Sequence, residues 1–125
     1  METDDGVIAE TIEVLPIAEV SPLLAEGGTG PFSDAELAYA RDKSDPERRL
    51  AARLAAKRAA VRLLGPGVIE ADIEVTRVPG RAPGLRLSAR AQAALEKAGA
   101  GAALVSLTHG REHAAAAVLL VRAPA

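Results

Sequence analysis

Residues 47–65 read ERRLAARLAAKRAAVRLLG, and this stretch decides the fold. Asp45-Pro46 precedes it, with proline in a first helical turn where its missing N–H costs nothing. Gly65-Pro66-Gly67 stops it, so a helix over 46–64 is expected. At about 100° per residue, Leu50, Leu54 and Val61 fall within one narrow stripe, with Leu64 at its edge. Ala51, Ala52, Ala55, Ala56 and Ala59 take the opposite side, where small side chains let another backbone come close. The helix is therefore expected to pack on two sides. Lys57 falls inside the apolar stripe and Arg58 just beside it. A cation there needs a partner or an open cleft, unless it snorkels to the surface. Lys57 is a candidate site residue on the first reading and a solvated side chain on the second.

Outward from this helix, the elements follow from simple signals. Residues 6–20 alternate loosely through Ile12, Val14, Ile17 and Val20, which predicts a strand running into a turn at Pro16. Ser33 with Glu36 forms a capping-box pattern that starts a short helix reaching about Lys43. Beyond the long helix, Ile69 to Val75 alternates at period two, Pro79-Gly80 turns, and Leu85 with Leu87 makes a second short strand. Ser88 caps a helix ending near Gly99, and 103–108 and 115–122 read as two more strands with His109-Gly110 between them. The short links favour an antiparallel sheet packed on the long central helix, an α+β fold forming one small domain over 1–125.

Composition sets the limits. The 125 residues are 49% apolar, 26% charged and only 2% aromatic, so the core is built from Leu, Val, Ile and many Ala. A chain this size buries roughly two-thirds of its unfolded surface, and small side chains return little per residue, so subunit burial is expected to help. The chain holds no cysteine, which excludes disulfides, thiolate metal sites and cysteine nucleophiles. No apolar run approaches the ~20 residues of a membrane span. The start is acidic where a signal peptide is basic, so a cytoplasmic protein with no membrane role is expected.

The net charge of −2 hides an asymmetry. Residues 1–36 carry nine carboxylates and no Lys or Arg, whereas 47–62 carry six cations against the single acid Glu47. Either the basic helix meets an anionic partner, or the acidic and basic segments face each other. Nucleic acid is disfavoured, because stacking aromatics are missing and a helix packed on two sides has little free surface. His109 and His113 stand four apart as candidate metal ligands, but His109 ends an apparent strand. There an imidazole at a sheet edge serves as donor or general base, or is simply an exposed turn residue.

Four blocks then match one family in order. The helix 47–65 resembles the central motif of the holo-acyl-carrier-protein synthases, E-R-x-A-A-R-F-A-A-K-E-A-x-x-K-A-L-G. Phe32-Ser-Asp-Ala-Glu-Leu-Ala-Tyr39 resembles the family's F-T-x-A-E-L-x-Y helix. Asp72-Ile-Glu-Val75 with Gly80-Arg-Ala-Pro83-Gly-Leu-Arg-Leu87 resembles D-I-E-V followed by G-x-P-x-[VL]-x-L. Val105-Ser-Leu-Thr-His109 with Ala114 to Val118 resembles the ISLSH ending. The resemblance implies a trimer of small α+β subunits, with sites at subunit interfaces. It also implies transfer of 4′-phosphopantetheine from coenzyme A to a serine of an acidic acyl carrier protein, with 3′,5′-ADP released.

By position, the resemblance makes Arg53 and Lys57 holders of coenzyme A phosphates. His109 lies on the pyrophosphate and adenine side, and Gly65, Gly80 and Pro83 complete the coenzyme A set. The family binds Mg²⁺ through an aspartate in an N-terminal G-x-D-[IVL]-V-E-I-x-R strand and a glutamate just after the motif lysine. Here Arg58 stands at that glutamate and Arg62 at the lysine four residues on. One register puts Glu13 at the aspartate and Glu19 at the strand's arginine, and a second register uses Glu10. Either leaves at most one carboxylate ligand, so Mg²⁺ is doubtful. Glu13, Lys57, Arg58, Arg62 and His109 form the candidate catalytic set, with Glu13 and His109 as a possible acid–base pair. Two functions stay open: transfer with Arg58 in place of a metal ligand, or a repurposed carrier-binding protein. The latter either runs a different step on the tethered chain, as in polyketide biosynthesis, or serves as a non-catalytic partner.

Overall fold

The computed structural model describes residues 6–25 and 30–123. The chain runs β1 (Val7–Pro16), α1 (Val20–Ala25), α2 (Asp34–Arg41), α3 (Pro46–Leu64), β2 (Ile73–Thr76), β3 (Gly84–Leu87), α4 (Ala89–Lys97), β4 (Ala102–His109) and β5 (His113–Val121). Single 3-10 turns, Ile17–Glu19 and Glu70–Asp72, precede α1 and β2. The strands form two antiparallel sheets, one ordered β1-β5-β4 and a separate β2-β3 ribbon. Glu13 lies opposite Ala116 and Ala116 opposite Leu107, so β5 sits in the middle and β1 and β4 form the edges.

Helix α3 is the axis of the molecule, and it spans the residues the sequence indicates. Leu50, Leu54, Ala51, Ala55 and Ala56 pack in one cluster with Leu15, Ala114 and Ala116 of the large sheet and Val75 of the ribbon. Farther along, Ala59, Ala60 and Leu64 join Ile73, Leu95, Val118 and Leu120. Alanines on both helix and strand let the backbones approach closely. Burial runs nearly all round the helix, whereas the sequence suggested two separate faces. Val61, expected in the apolar stripe, is only half-buried.

The caps are where the sequence said. Ser33 and Glu36 make a reciprocal capping box, and Ser88 Oγ accepts from the Ala91 N–H at 3.1 Å. Gly65 ends α3 with φ +90°, a backbone conformation that side-chain-bearing residues resist. One expectation is corrected. The strand predicted over 69–75 begins only at Ile73, because the Asp72 carboxylate accepts from the Ile69 N–H at 2.9 Å and closes a turn over 70–72. Past the expected turn at Pro16 the chain adds a short helix, α1, that the sequence did not indicate, anchored by the fully buried Val20.

Asp72 carries a pH signature. The backbone N–H of Ile69, then the Ser88 hydroxyl at 2.7 Å and the Arg90 charge, hold its carboxyl below the ordinary 3.8. A depressed carboxylate stabilises the fold above its unfolded value, and that stability disappears as pH falls through the folded one. Urea midpoints followed from neutral pH to below 3.8 should therefore drop on the acid side. Asp72→Asn should flatten that acid limb while starting lower at neutral pH.

Candidate functional site

The longest-reaching polar arrangement starts at Glu36. Its Oε1 accepts from the Ser33 N–H at 2.8 Å and lies 2.8 Å from Lys57 Nζ, and its Oε2 accepts from the Val75 N–H at 2.7 Å. Lys57 also donates to the Ile73 carbonyl. Both side chains are about 1% exposed. Lys57 therefore neither snorkels nor stands open: its ammonium joins α3 to α2 and β2. It does border a 440 Å³ cavity with Phe32, Asp72, Glu74 and Arg86. The charges there are already matched, Asp72 to Ser88 and Arg90 and Glu74 to Arg86 at 3.2 Å. That cavity offers an anion nothing unspent.

The unspent charge lies one turn earlier on α3. Arg53 is buried at 3% exposure, with its guanidinium 4.1 Å from the Tyr39 ring centre and Nη1 donating to the Arg49 carbonyl at 3.2 Å. Its Nε is buried without a partner. Burial lowers the Arg53 pKa, although Tyr39 works against this, and the group stays charged. Burial alone would raise the Tyr39 hydroxyl, but Arg53, Arg49, Lys43 and Arg77 together pull it below 10.0. That shift reports a positive field.

Two adjoining cavities share Tyr39, Arg53 and Arg77. One, of 270 Å³, adds Arg49, Thr108 and His109, and the other, of 240 Å³, adds Thr76, Glu74 and Arg86. His109 Nε2 lies 3.9 Å from Asp45 Oδ2, and Asp45 is bound mainly by Arg49 at 3.0 Å. Asp45 thus offsets Arg49 and Glu74 offsets Arg86. Arg53 and Arg77 make no salt bridge among the described residues. The result is a groove with two uncompensated guanidiniums, which suits a phosphate-bearing ligand.

The structure places Arg53 and His109 at one cavity and joins Glu13 to Arg62 in an ion pair, and it keeps these two groups apart from each other. Gly65, Gly80 and Pro83 line neither of the two Tyr39 cavities. Glu13 and His109 sit on the two outer strands of the large sheet, with β5 between them. Their partners differ too, Arg62 at 2.7 Å for Glu13 and Asp45 for His109, so the acid–base pair does not form. Glu10 is exposed on the opposite face of β1, so Glu13 is the carboxylate turned toward α3. His113 is exposed while its neighbour Ala114 is buried, which puts it on the sheet's outer face, away from His109. No group of three or more His, Asp or Glu able to hold a metal occurs among the described residues. Tyr39, Arg49 and Arg77 were not picked out as site residues. The i, i+4 spacing of Arg49 and Arg53 on α3 was the available signal for one of them, whereas Arg77 sits in a loop with none.

No family model matches the chain. It is 35% identical over 118 residues to a holo-[acyl-carrier-protein] synthase of Thermus thermophilus, covering 91% of this chain and 93% of that protein. To the synthase of Nitratidesulfovibrio vulgaris strain DP4 it is 47% identical over 81 residues, 62% of this chain and 65% of the relative, so this match leaves about a third of that relative's length uncovered. The solved acyl carrier protein synthase of Mycobacterium tuberculosis is 30% identical, with a TM-score of 0.70 over 94% of this chain and all of that one. The Helicobacter pylori enzyme, solved in complex with coenzyme A, shares the fold at 21% identity, with a TM-score of 0.73 over 90% and 99% of the two chains. The fold is thus that of the small α+β acyl carrier protein synthases. The chain belongs to the holo-[acyl-carrier-protein] synthase family.

Glu36→Ala would strip the acceptors of two N–H groups and leave a buried ammonium unpaired. Breaking such a pair costs about 3–5 kcal/mol, so urea denaturation should show most of the fold's stability gone. The double variant Glu36→Gln, Lys57→Met removes both charges and should recover a large part of the loss.

Proposed function

We propose that the chain is a holo-acyl-carrier-protein synthase, transferring 4′-phosphopantetheine from coenzyme A to a serine of an apo acyl carrier protein. The observation that carries this reading is the match to the Thermus thermophilus relative across 91% of the chain. The groove around Tyr39 agrees with it. In the transfer, the serine hydroxyl gives up its proton to solvent as its oxygen bonds to the phosphorus next to pantetheine, the phosphoanhydride breaks, and 3′,5′-ADP leaves with the electron pair. The protein's part in such chemistry is to position the phosphates and balance their charge. Arg53, Arg77 and Arg49 supply the positive field, and His109 at the end of β4 adds a donor at the same groove. Lys57 acts indirectly, by holding α3 so that Arg53 reaches the groove. The carrier protein is acidic, and the positive charge of Arg53 and Arg77 left unmatched at the groove suits its approach.

On the same reading, residues 1–125 form one domain, the protein works in the cytoplasm beside its carrier protein, and the working unit is a homotrimer. No helix among the described residues is long and apolar enough to cross a membrane. Support for self-association comes from the outer face of the large sheet. Ile12 is 66% and Val14 59% exposed there, with Leu104 also bare, and Glu10, Thr11, Ile12, Ala117 and Leu119 border a 420 Å³ depression. A bare apolar sheet face of this kind marks an interface. Val14→Lys should convert the trimer to monomer in light scattering after size exclusion, with a lower melting temperature.

A second reading, a carrier-binding member that no longer transfers, is favoured by Arg58 standing where the family has a metal-ligand glutamate. Intact-mass measurement on apo carrier protein incubated with coenzyme A and the purified protein separates the two. Addition of one phosphopantetheine group supports transfer, and none beside an active control enzyme sinks it. Arg77→Ala removes one charged contact of ~1.5–3 kcal/mol, so coenzyme A should bind about 10-fold or more weakly with the fold unchanged.

A further inference from the structure

The positions that correspond to the family's metal ligands lie on the seam between the N-terminal segment and α3. Arg62 Nη2 is 2.7 Å from Glu13 Oε2, and Arg58 Nη1 donates to Glu19 Oε2 at 3.0 Å. Glu13 and Glu19 follow each other along β1 and the next turn, while Arg58 and Arg62 are one helical turn apart on α3. The four charges cancel. A hard divalent cation needs several oxygen ligands in near-octahedral array. Here the two carboxylates are each engaged by a guanidinium, and an ion between them would touch both positive groups. These residues do not fit Mg²⁺.

The pair Arg58–Glu19 has a second feature. In the family pattern the helix position is acidic and the strand-end position is arginine, and this chain carries both with the sign reversed. A Coulombic pair survives such an exchange, because its energy depends only on the product of the charges and their distance. A metal site does not survive it, because the helix then offers nitrogen donors instead of oxygen ligands. We infer that this chain has exchanged the family's metal site for two ion pairs, takes no divalent cation there, and binds the diphosphate of coenzyme A without one. Arg58 and Arg62 are 33% and 59% exposed, so guanidinium N–H groups remain outward for an anion. The coenzyme A part rests on the function proposed above, and the metal part does not.

The test uses the full chain and two titrations. Mn²⁺, a hard cation visible by electron paramagnetic resonance, reports metal binding directly. Isothermal titration with coenzyme A, in EDTA and again in Mg²⁺, reports the cofactor. The wild type should bind no Mn²⁺ below millimolar concentration, and its coenzyme A affinity should agree within ~2-fold between the two buffers. Stoichiometric Mn²⁺ binding at micromolar concentration, or coenzyme A affinity weakened ~10-fold or more by EDTA, overturns the inference. If coenzyme A binds in neither buffer, the proposed function fails while the Mn²⁺ titration still decides the metal question. Arg58→Glu alone should lower the melting temperature by roughly 2–5 °C by setting two carboxylates together. Adding Glu19→Arg should restore it by re-forming the ion pair with its sign reversed. A double variant that does not recover overturns the exchange.

Discussion

The buried pair of Glu36 and Lys57 is the constraint on which the rest of the molecule hangs. Its worth to net stability is small, because desolvating two charges consumes most of their attraction. Its worth to geometry is large. One carboxylate takes the N–H groups of Ser33 and Val75 as well as the ammonium, so the start of α2, the middle of α3 and strand β2 meet at one point. An apolar contact there would tolerate sliding, whereas this one fixes the rotation of α3 about its own axis. With that rotation set, the cations of α3 sort into two rows. Arg49, Arg53 and Lys57 run at i, i+4 spacing toward α2 and the β2-β3 ribbon, and Arg58 and Arg62 run toward β1.

The alanine interior follows from the same arrangement. A helix that carries so many charges near the core must approach its sheet through small side chains, and Ala51, Ala55, Ala114 and Ala116 provide that close contact. What this interior forgoes is depth. The apolar bulk that a larger core would enclose is displaced to the outer face of the sheet, where Ile12, Val14 and Leu104 remain bare. Thin core and uncovered face are two sides of one packing solution.

The long helix, the Ser33 and Ser88 caps and the terminal strands were legible in the sequence because each has a local cause: periodicity, a cap or a turn residue. The turn over 70–72 was not, since its closing bond from Asp72 competes with an alternation that reads equally well as strand. The partition of the strands into two sheets was illegible for a different reason, because pairing is set by tertiary register and not by any one segment. In the site, Arg53 and His109 could be found by motif. Glu36 could be read only as a cap, and its second task, neutralising Lys57 across 21 residues of chain, has no local signature.

The charge rows also explain how a chain with net charge −2 can present a strongly positive groove. Two acids of the first third are spent against the second row: Glu13 on Arg62 and Glu19 on Arg58. That seam is neutral, and salt will screen it readily because its arginines reach solvent. The first row gets a different balance. Glu36 cancels Lys57 in the interior and Asp45 cancels Arg49 at the rim, but Arg53 and the loop residue Arg77 keep their charge beside Tyr39. Positive potential therefore concentrates in the one place where a low-dielectric wall, the Tyr39 ring, backs it. A phosphate entering there meets the exposed Arg77 and the buried Arg53, whose guanidinium folding has already desolvated, so for Arg53 the protein has borne that cost before the ligand arrives.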